Sequence, residues 1–242
     1  MTVSLWLDHV SVAVPALGDA VAHLERRLGL HTTVTPADPN RHGRVHLDRT
    51  YLEITAQAEQ RGWDASLFFL RFEDPARLRE HLETSGLGYR FSEYVGVDGV
   101  WDDVEIIAGD ITMPILVRRT DPPGPAADWP PPLARPHPGP AHTLASVYVE
   151  VTDPPVAAAR YRLLLGLPEP SGLDPGLRMQ LRTGEVVLVP AARTGIAGIV
   201  LGVGSVEEMA DYLGEPLEPS GDGVAWLDPE LTFGLRLGFR EG

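Results

Sequence analysis

The stretch WLDHVSVAV, residues 6–14, has the alternation of a β-strand. Val10, Val12 and Val14 fall on one face, branched and apolar, suited to packing on a helix. Leu7, His9, Ser11 and Ala13 fall on the other, small and mixed, with an imidazole at its centre. The residues that follow, PALGDAVAHLERRLGL (15–30), put Leu17, Val21, Leu24 and Leu28 at helical spacing, and Gly29 ends the helix.

This strand–helix unit recurs. LASVYVEVTDPPVAAARYRLLLGL (144–167) runs in the same order, with Asp153 as helix cap, Pro154 in the first turn and Gly166 at the end. The displacement is 137 residues without a gap, so Gly166 stands for Gly29 and Ser146 for His9. Each half divides again. SLFFLRFED (66–74) leads into PARLREHLETSG (75–86), with Asp74 as cap and Gly86 beyond the end. IAGIVLGVG (196–204) leads into SVEEMADYLG (205–214), where Ser205 and Glu208 have capping-box spacing. Behind each helix come short strand-like runs: RVHLD and TYLEITA, DVEII and MPILVRR, LRMQLR and EVVLVPA, GVAWLD and TFGLRLGF. The fold class expected is α+β, built of four βαβββ units. Residues 121–140, DPPGPAADWPPPLARPHPGP, are too rich in proline for a central strand or a helix and read as a linker between domains 1–120 and 141–242.

Composition narrows the function. The 242 residues are 43% hydrophobic, enough for a real core, and carry 34 acidic against 20 basic side chains. The net charge of −14 would repel a polyanion, so nucleic acid and anionic membrane are not expected partners. With no cysteine, thiolate catalysis, disulfides and Cys-ligated zinc are excluded. No run approaches membrane-spanning length, and a cytoplasmic location is expected, as monomer or homodimer.

The chemistry-bearing residues gather in the first unit. On TYLEITA, Tyr51, Glu53 and Thr55 alternate with Leu52 and Ile54; on the preceding run, His42, Arg44 and His46 alternate with Val45 and Leu47. Three strands of one unit thus present His9, His42, Arg44, His46, Tyr51 and Glu53 to one side. Trp101, beside Asp103 and Glu105 by alternation, could floor the pocket from the second unit or serve as a core aromatic. A carboxylate that orients a histidine makes it a proton-transfer group, and His9 or His46 with Glu53 has that composition. Arg44 could hold an anionic group or an enolate, or only neutralise Asp48. His23 and His81, in charged helices, are expected in solvent, and His31 is expected to do no more than cap carbonyls.

Four such units, with the opening strand LDHVSVAV, the acidic strand RTYLEITA, the GVDGVW segment and the strand MPILVRRTDPPGPA, resemble the vicinal oxygen chelate superfamily, and within it the two-part glyoxalase-like domain proteins. The later strands SVYVEV and GIAGIVLGV resemble the same pattern. The resemblance implies units paired into two half-barrel domains around a cavity, often with one divalent metal (Zn, Fe, Mn, Ni or Mg) held by His and Glu. His9 and Glu53 match its ligand positions, and His46 could complete the set. Its activities include isomerases, lyases, dioxygenases, ring-opening enzymes and metal-free binding proteins. The chain departs from the pattern in the second unit, which has no His or Glu at matching places, and in the second pair, where Ser146, Leu188, Gly198 and Arg236 stand near them. The C-terminal cavity is therefore expected apolar or collapsed, with Leu188 in a ligand's place. Two readings stay open: a small-molecule enzyme working beside a carbonyl or vicinal oxygens, with its pocket in the N-terminal half, and a binding protein sequestering a hydrophobic or aromatic metabolite. His9→Ala is expected to harm function more than stability, with Ser146→Ala as a silent control.

Overall fold

A computed structural model describes residues 3–34, 42–56, 62–96, 99–109, 111–120, 137–167, 177–232 and 236–242. The linker segment 121–136 lies outside them. Two mixed sheets form, one from each half of the chain.

In the N-terminal half, β1 (Trp6–Val14) leads to α1 (Leu17–Leu28) and then β2 (Thr32–Val34), β3 (His42–Leu47) and β4 (Thr50–Ala56). The second unit is β5 (Gly62–Arg71), α2 (Pro75–Ser85), β6 (Gly88–Gly96), β7 (Gly99–Ile107) and β8 (Ile115–Arg119). β4 returns parallel beside β1, and β8 parallel beside β5. The two units join where β1 and β5 pair antiparallel, giving the order β2-β3-β4-β1-β5-β8-β7-β6.

The C-terminal half follows this plan, with two strands rather than three among the described residues after its first helix. It runs through β9 (Ala141–Val151), α3 (Pro154–Leu165), β10 (Arg178–Gln180), β11 (Glu185–Pro190), β12 (Gly195–Val203), α4 (Val206–Leu213), β13 (Glu218–Pro219), β14 (Ala225–Trp226) and β15 (Leu237–Glu241). β9 and β12 pair antiparallel at the centre, with β11 and β15 parallel beside them.

The helices start and stop where their caps dictate. Asp74 accepts from the amides of Ala76 and Arg77, Asp153 from Val156 and Ser205 from Glu208. Gly29, Gly86, Gly166 and Gly214 each take left-handed backbone at the C-terminal end. Val10, Val12, Val14, Leu52 and Ile54 join Leu24 and Leu28 in one apolar core that continues into the second half through Val147, Val149 and Leu188.

The opening strand departs from simple alternation. Leu7 pairs with Leu70 and His9 with Phe69, so Asp8 is an extra residue, a β-bulge. Leu7, expected on the face of His9, lies in the core with the valines. The bulge recurs 137 residues later: Leu144 pairs with Leu201 and Ser146 with Val200, leaving Ala145 as the extra residue. The backbone device is repeated, but its side chains are Asp8 and His9 in one half and Ala145 and Ser146 in the other.

The halves are fastened along β1. The Leu7 amide donates to Thr183 O, and the Arg182 amide to Leu5 O, each at 3.4 Å. Gly184 (φ 69°) closes the β10–β11 hairpin so near this seam that a Cβ would lie 2.8 Å from Ala145 O. His81 and His23, expected in solvent, are fastened here too. His81 is buried and its Nε2 lies 2.9 Å from the Leu163 and Leu164 carbonyls at the end of α3, while His23 Nε2 lies 2.5 Å from Leu231 O. Helix charge patterning cannot register a partner supplied from more than 80 residues away.

Candidate active site

A cavity of about 250 Å³ opens on the concave face of the N-terminal sheet. Its walls are His9 from β1, His42 and Arg44 from β3, Tyr51 and Glu53 from β4, Phe69 from β5, Tyr94 from β6, Trp101 and Asp103 from β7, and Ile115 and Val117 from β8. Alternation on β4 and β3 puts their polar side chains here and Leu52, Ile54 and Val45 into the core.

His9 is held on three sides. Its Nδ1 donates to Asp8 Oδ2 at 2.8 Å. Its ring stacks on Tyr51, 4.3 Å between centroids and 12° between planes, and on Phe69, 3.9 Å and 10°. The bulge makes the carboxylate contact possible, because it turns two consecutive side chains toward one another instead of to opposite faces. Asp8 is fully buried, and its other oxygen lies 3.8 Å from Arg71 Nε. Arg71 and Arg182 lie over the Trp6 ring, 5.8 and 5.0 Å from its centroid, so the C-terminal half braces the support of Asp8. An ionised Asp8 accepts from Nδ1–H, which leaves Nε2 as the unprotonated ring nitrogen of neutral His9.

Glu53 belongs to a second cluster. Its Oε1 accepts from Arg44 Nε and Nη2 at 3.3 Å and lies 3.4 Å from His42 Nδ1. Arg44 also lies over the Tyr51 ring, 5.4 Å from its centroid. The carboxylate that orients His9 is therefore Asp8 and not Glu53, and Arg44 neutralises Glu53 rather than Asp48.

His46 is not among the residues lining the cavity. It sits at the far end of β3, buried, with its carbonyl 2.6 Å from His137 Nε2. His137 Nδ1 in turn accepts from the His31 amide at 2.9 Å. Burial first, then Arg44 and His137, pull the His46 imidazole below its ordinary value. Burial does the same to His137.

His9, His46 and Glu53 thus do not converge on one point, and among the described residues no group of three His, Asp or Glu side chains could hold a metal ion. Glu53 faces a guanidinium where a second cation would have to sit. The residues present do not fit the divalent ion that the resemblance implies.

Asp103 completes the cavity. Burial pushes its carboxyl up, His9 draws it back and Asp102 raises it again. The sequence pattern does not single out Phe69, Tyr94, Ile115 and Val117 as cavity walls or Asp8 as the partner of His9, and it marks Asp103 only as a neighbour of Trp101. Ideal alternation sends Asp8 to the helix side, and the remaining residues come from the second unit, whose curvature around the first is not written in any local pattern.

On the matching face of the C-terminal sheet a network of ion pairs and hydrogen bonds stands at the polar positions. Ser146 Oγ donates to Glu185 Oε1 at 2.9 Å, Arg240 Nη1 donates to the same oxygen at 2.6 Å, and Arg178 also pairs with it. Arg178 reaches Asp222 at 3.0 Å, and Tyr148 donates its hydroxyl to Asp222. Burial and the Asp222 carboxylate push the Tyr148 phenol up to about 12. Among the described residues this face is polar, where an apolar or collapsed one was expected. Leu188 points to the core, and Arg236 lies over Trp226 at 4.5 Å. The register explains the difference: Glu185 pairs with Ser146 as Tyr51 pairs with His9, which puts Val187 and not Leu188 in the place of Glu53.

A family model described as "Glyoxalase-like domain" matches residues 7–165. The chain belongs to the glyoxalase-like family. No curated protein matches the sequence. Three solved structures share this glyoxalase-like fold over nearly the whole chain. A hypothetical protein from Staphylococcus aureus aligns with TM-score 0.68 at 9% identity, over 98% of this chain and 99% of that one. The Mn(II)-bound glyoxalase from Novosphingobium aromaticivorans aligns with TM-score 0.68 at 12% identity, over 99% and 82%. The 2,3-dioxygenase LapB from Pseudomonas sp. KL28 aligns with TM-score 0.63 at 15% identity, over 100% and 93%. Among the described residues no helix is long and apolar enough to cross a membrane.

Proposed function

We propose that the N-terminal cavity is the active site of a glyoxalase-like enzyme that moves a proton beside a carbonyl or vicinal oxygens of a small molecule, in an isomerase, lyase or ring-opening reaction. The observation that carries this reading is the Asp8–His9 hydrogen bond, with His9 fixed between Tyr51 and Phe69. A histidine whose tautomer and plane are both fixed is prepared for general acid–base work. Nε2 takes the proton from carbon, and Asp8 stabilises the imidazolium that results. The developing oxyanion is met by N–H groups of Arg44 and His42, already held by Glu53. Nε2 then returns the proton. In the same reading residues 1–120 form the working domain, 121–140 the linker, and 141–242 a domain that has exchanged its cavity for an ion-pair network and now braces β1.

The test is deuterium incorporation from D2O into a panel of α-hydroxyketones and thiol hemithioacetals, followed by NMR. His9→Gln is expected to slow incorporation about a hundredfold or more. Undiminished incorporation in folded His9→Gln would remove His9 from the reaction. The aromatic walls Tyr51, Phe69, Tyr94 and Trp101 support a second reading, sequestration without turnover. That reading predicts ligand binding with no incorporation in any variant.

A further inference from the structure

The acidic side chains in and around the cavity are not equally occupied. Asp8 accepts from His9, Glu53 from Arg44, and Asp102, on the strand of Asp103, from Arg118 at 2.6 and 3.0 Å. Asp103 also lines the cavity, half-buried beside Trp101, yet among the described residues no hydrogen bond or ion pair holds its carboxyl. β7 lies three places along the sheet from β1, and the sheet curves enough for Asp103 and His9 to line the same cavity. A half-buried carboxylate that no protein group pairs, set in a cavity wall, is open to a ligand that supplies the partner.

The signs select the ligand. Arg44, the cation on this wall, is already neutralised by Glu53. An anion entering the cavity would meet Asp103 and a chain of net charge −14. A neutral molecule would leave Asp103 desolvated and unpaired. A cation would neutralise it, and Trp101 and Tyr94, paired across β7 and β6, line the cavity beside it as aromatic wall for the rest of the molecule. The volume of about 250 Å³ is below the usual range for drug-sized ligands and suits one ring with a short substituent.

We propose that the cavity takes a small arylalkylamine, its ammonium group seated on Asp103 and its ring against the aromatic walls. This rests on the reading of the cavity as a small-molecule site, and it names the class of molecule. Asp103 is then a specificity-determining residue.

Three probes of nearly equal shape test it: 2-phenylethylamine, 2-phenylethanol and phenylacetate, titrated at fixed pH and salt by calorimetry and by intrinsic tryptophan fluorescence. The amine is expected to bind about tenfold or more tighter than the alcohol, the yield of one charge-assisted hydrogen bond, and phenylacetate weakest. Asp103→Asn is expected to abolish the amine's advantage and leave the alcohol's affinity unchanged. The advantage should persist in wild type at high salt, because a contact pair is screened far less than a surface field. That salt measurement needs no variant. Equal affinities, tighter phenylacetate, no binding by the amine, or an advantage that survives Asp103→Asn would each overturn the proposal. Binding is read without turnover, so the same titration in His9→Gln separates the two readings. An amine preference kept there while deuterium incorporation is lost supports both. A missing preference beside His9-dependent incorporation overturns this inference alone.

Discussion

Asp8 and His9 are consecutive residues of one strand, yet their side chains meet at 2.8 Å. The bulge at Asp8 is the cause: in regular pleating the two would face opposite sides of the sheet. Asp8→Asn therefore tests the pair with little change of shape. An amide can donate to Nδ1, which shifts the ring proton to Nε2 and removes the base. Deuterium incorporation is expected to fall about a hundredfold, with ligand affinity nearly unchanged. Full activity in Asp8→Asn would show that Asp8 does not set the tautomer.

His9→Ala is a harsher change than its sequence context suggests. It removes two ring stacks, each worth about 1 kcal/mol, and leaves a buried carboxylate without its nearest partner. A loss of about 2–4 kcal/mol is expected in urea unfolding, so stability suffers beside function. Ser146→Ala, silent by its sequence context, is expected to cost about 1 kcal/mol, because the hydroxyl donates to Glu185 and accepts from Arg240.

Glu185→Gln tests the C-terminal network. The carboxylate is buried and accepts from Ser146, Arg178 and Arg240. Its loss leaves two guanidinium groups facing each other with one counter-charge fewer. A destabilisation of about 3 kcal/mol is expected, with binding in the N-terminal cavity retained at temperatures where the variant is folded. A variant as stable as the wild type would make this network dispensable.

His46 and His137 set an acid limit. Burial lowers both imidazoles in the folded state, so the unfolded chain takes up their protons first as pH falls. The stability they allow is complete above the ordinary histidine pKa of about 6.5 and is lost as pH drops from there through their folded values. Thermal unfolding should show this loss in wild type, and it should be shallower in His46→Gln. An unchanged slope in that variant would place the acid sensitivity elsewhere.

Much of the fold was legible because it rests on local chemistry. Asp74, Asp153 and Ser205 cap helices with their own side chains, and Gly29 and Gly166 end them at matching places. Valine alternation marked the strands that carry a core face. A gapless displacement of 137 residues showed that two halves share one plan. Alternation also marked His9, His42, Arg44, Tyr51 and Glu53 as neighbours, since residues on one face of paired strands meet whatever surrounds them.

Partnership was decided by tertiary structure. A one-residue bulge changed the carboxylate that holds His9 from Glu53 to Asp8, and alternation has no term for an extra residue. The position of His46 along β3 took it out of the cavity although its face was right. The register of β11 against β9 brought Glu185 and not Leu188 to Ser146. Asp103 became part of the site because a curved sheet brings β7 around to face β1, a long-range closure that no stretch of sequence can state by itself.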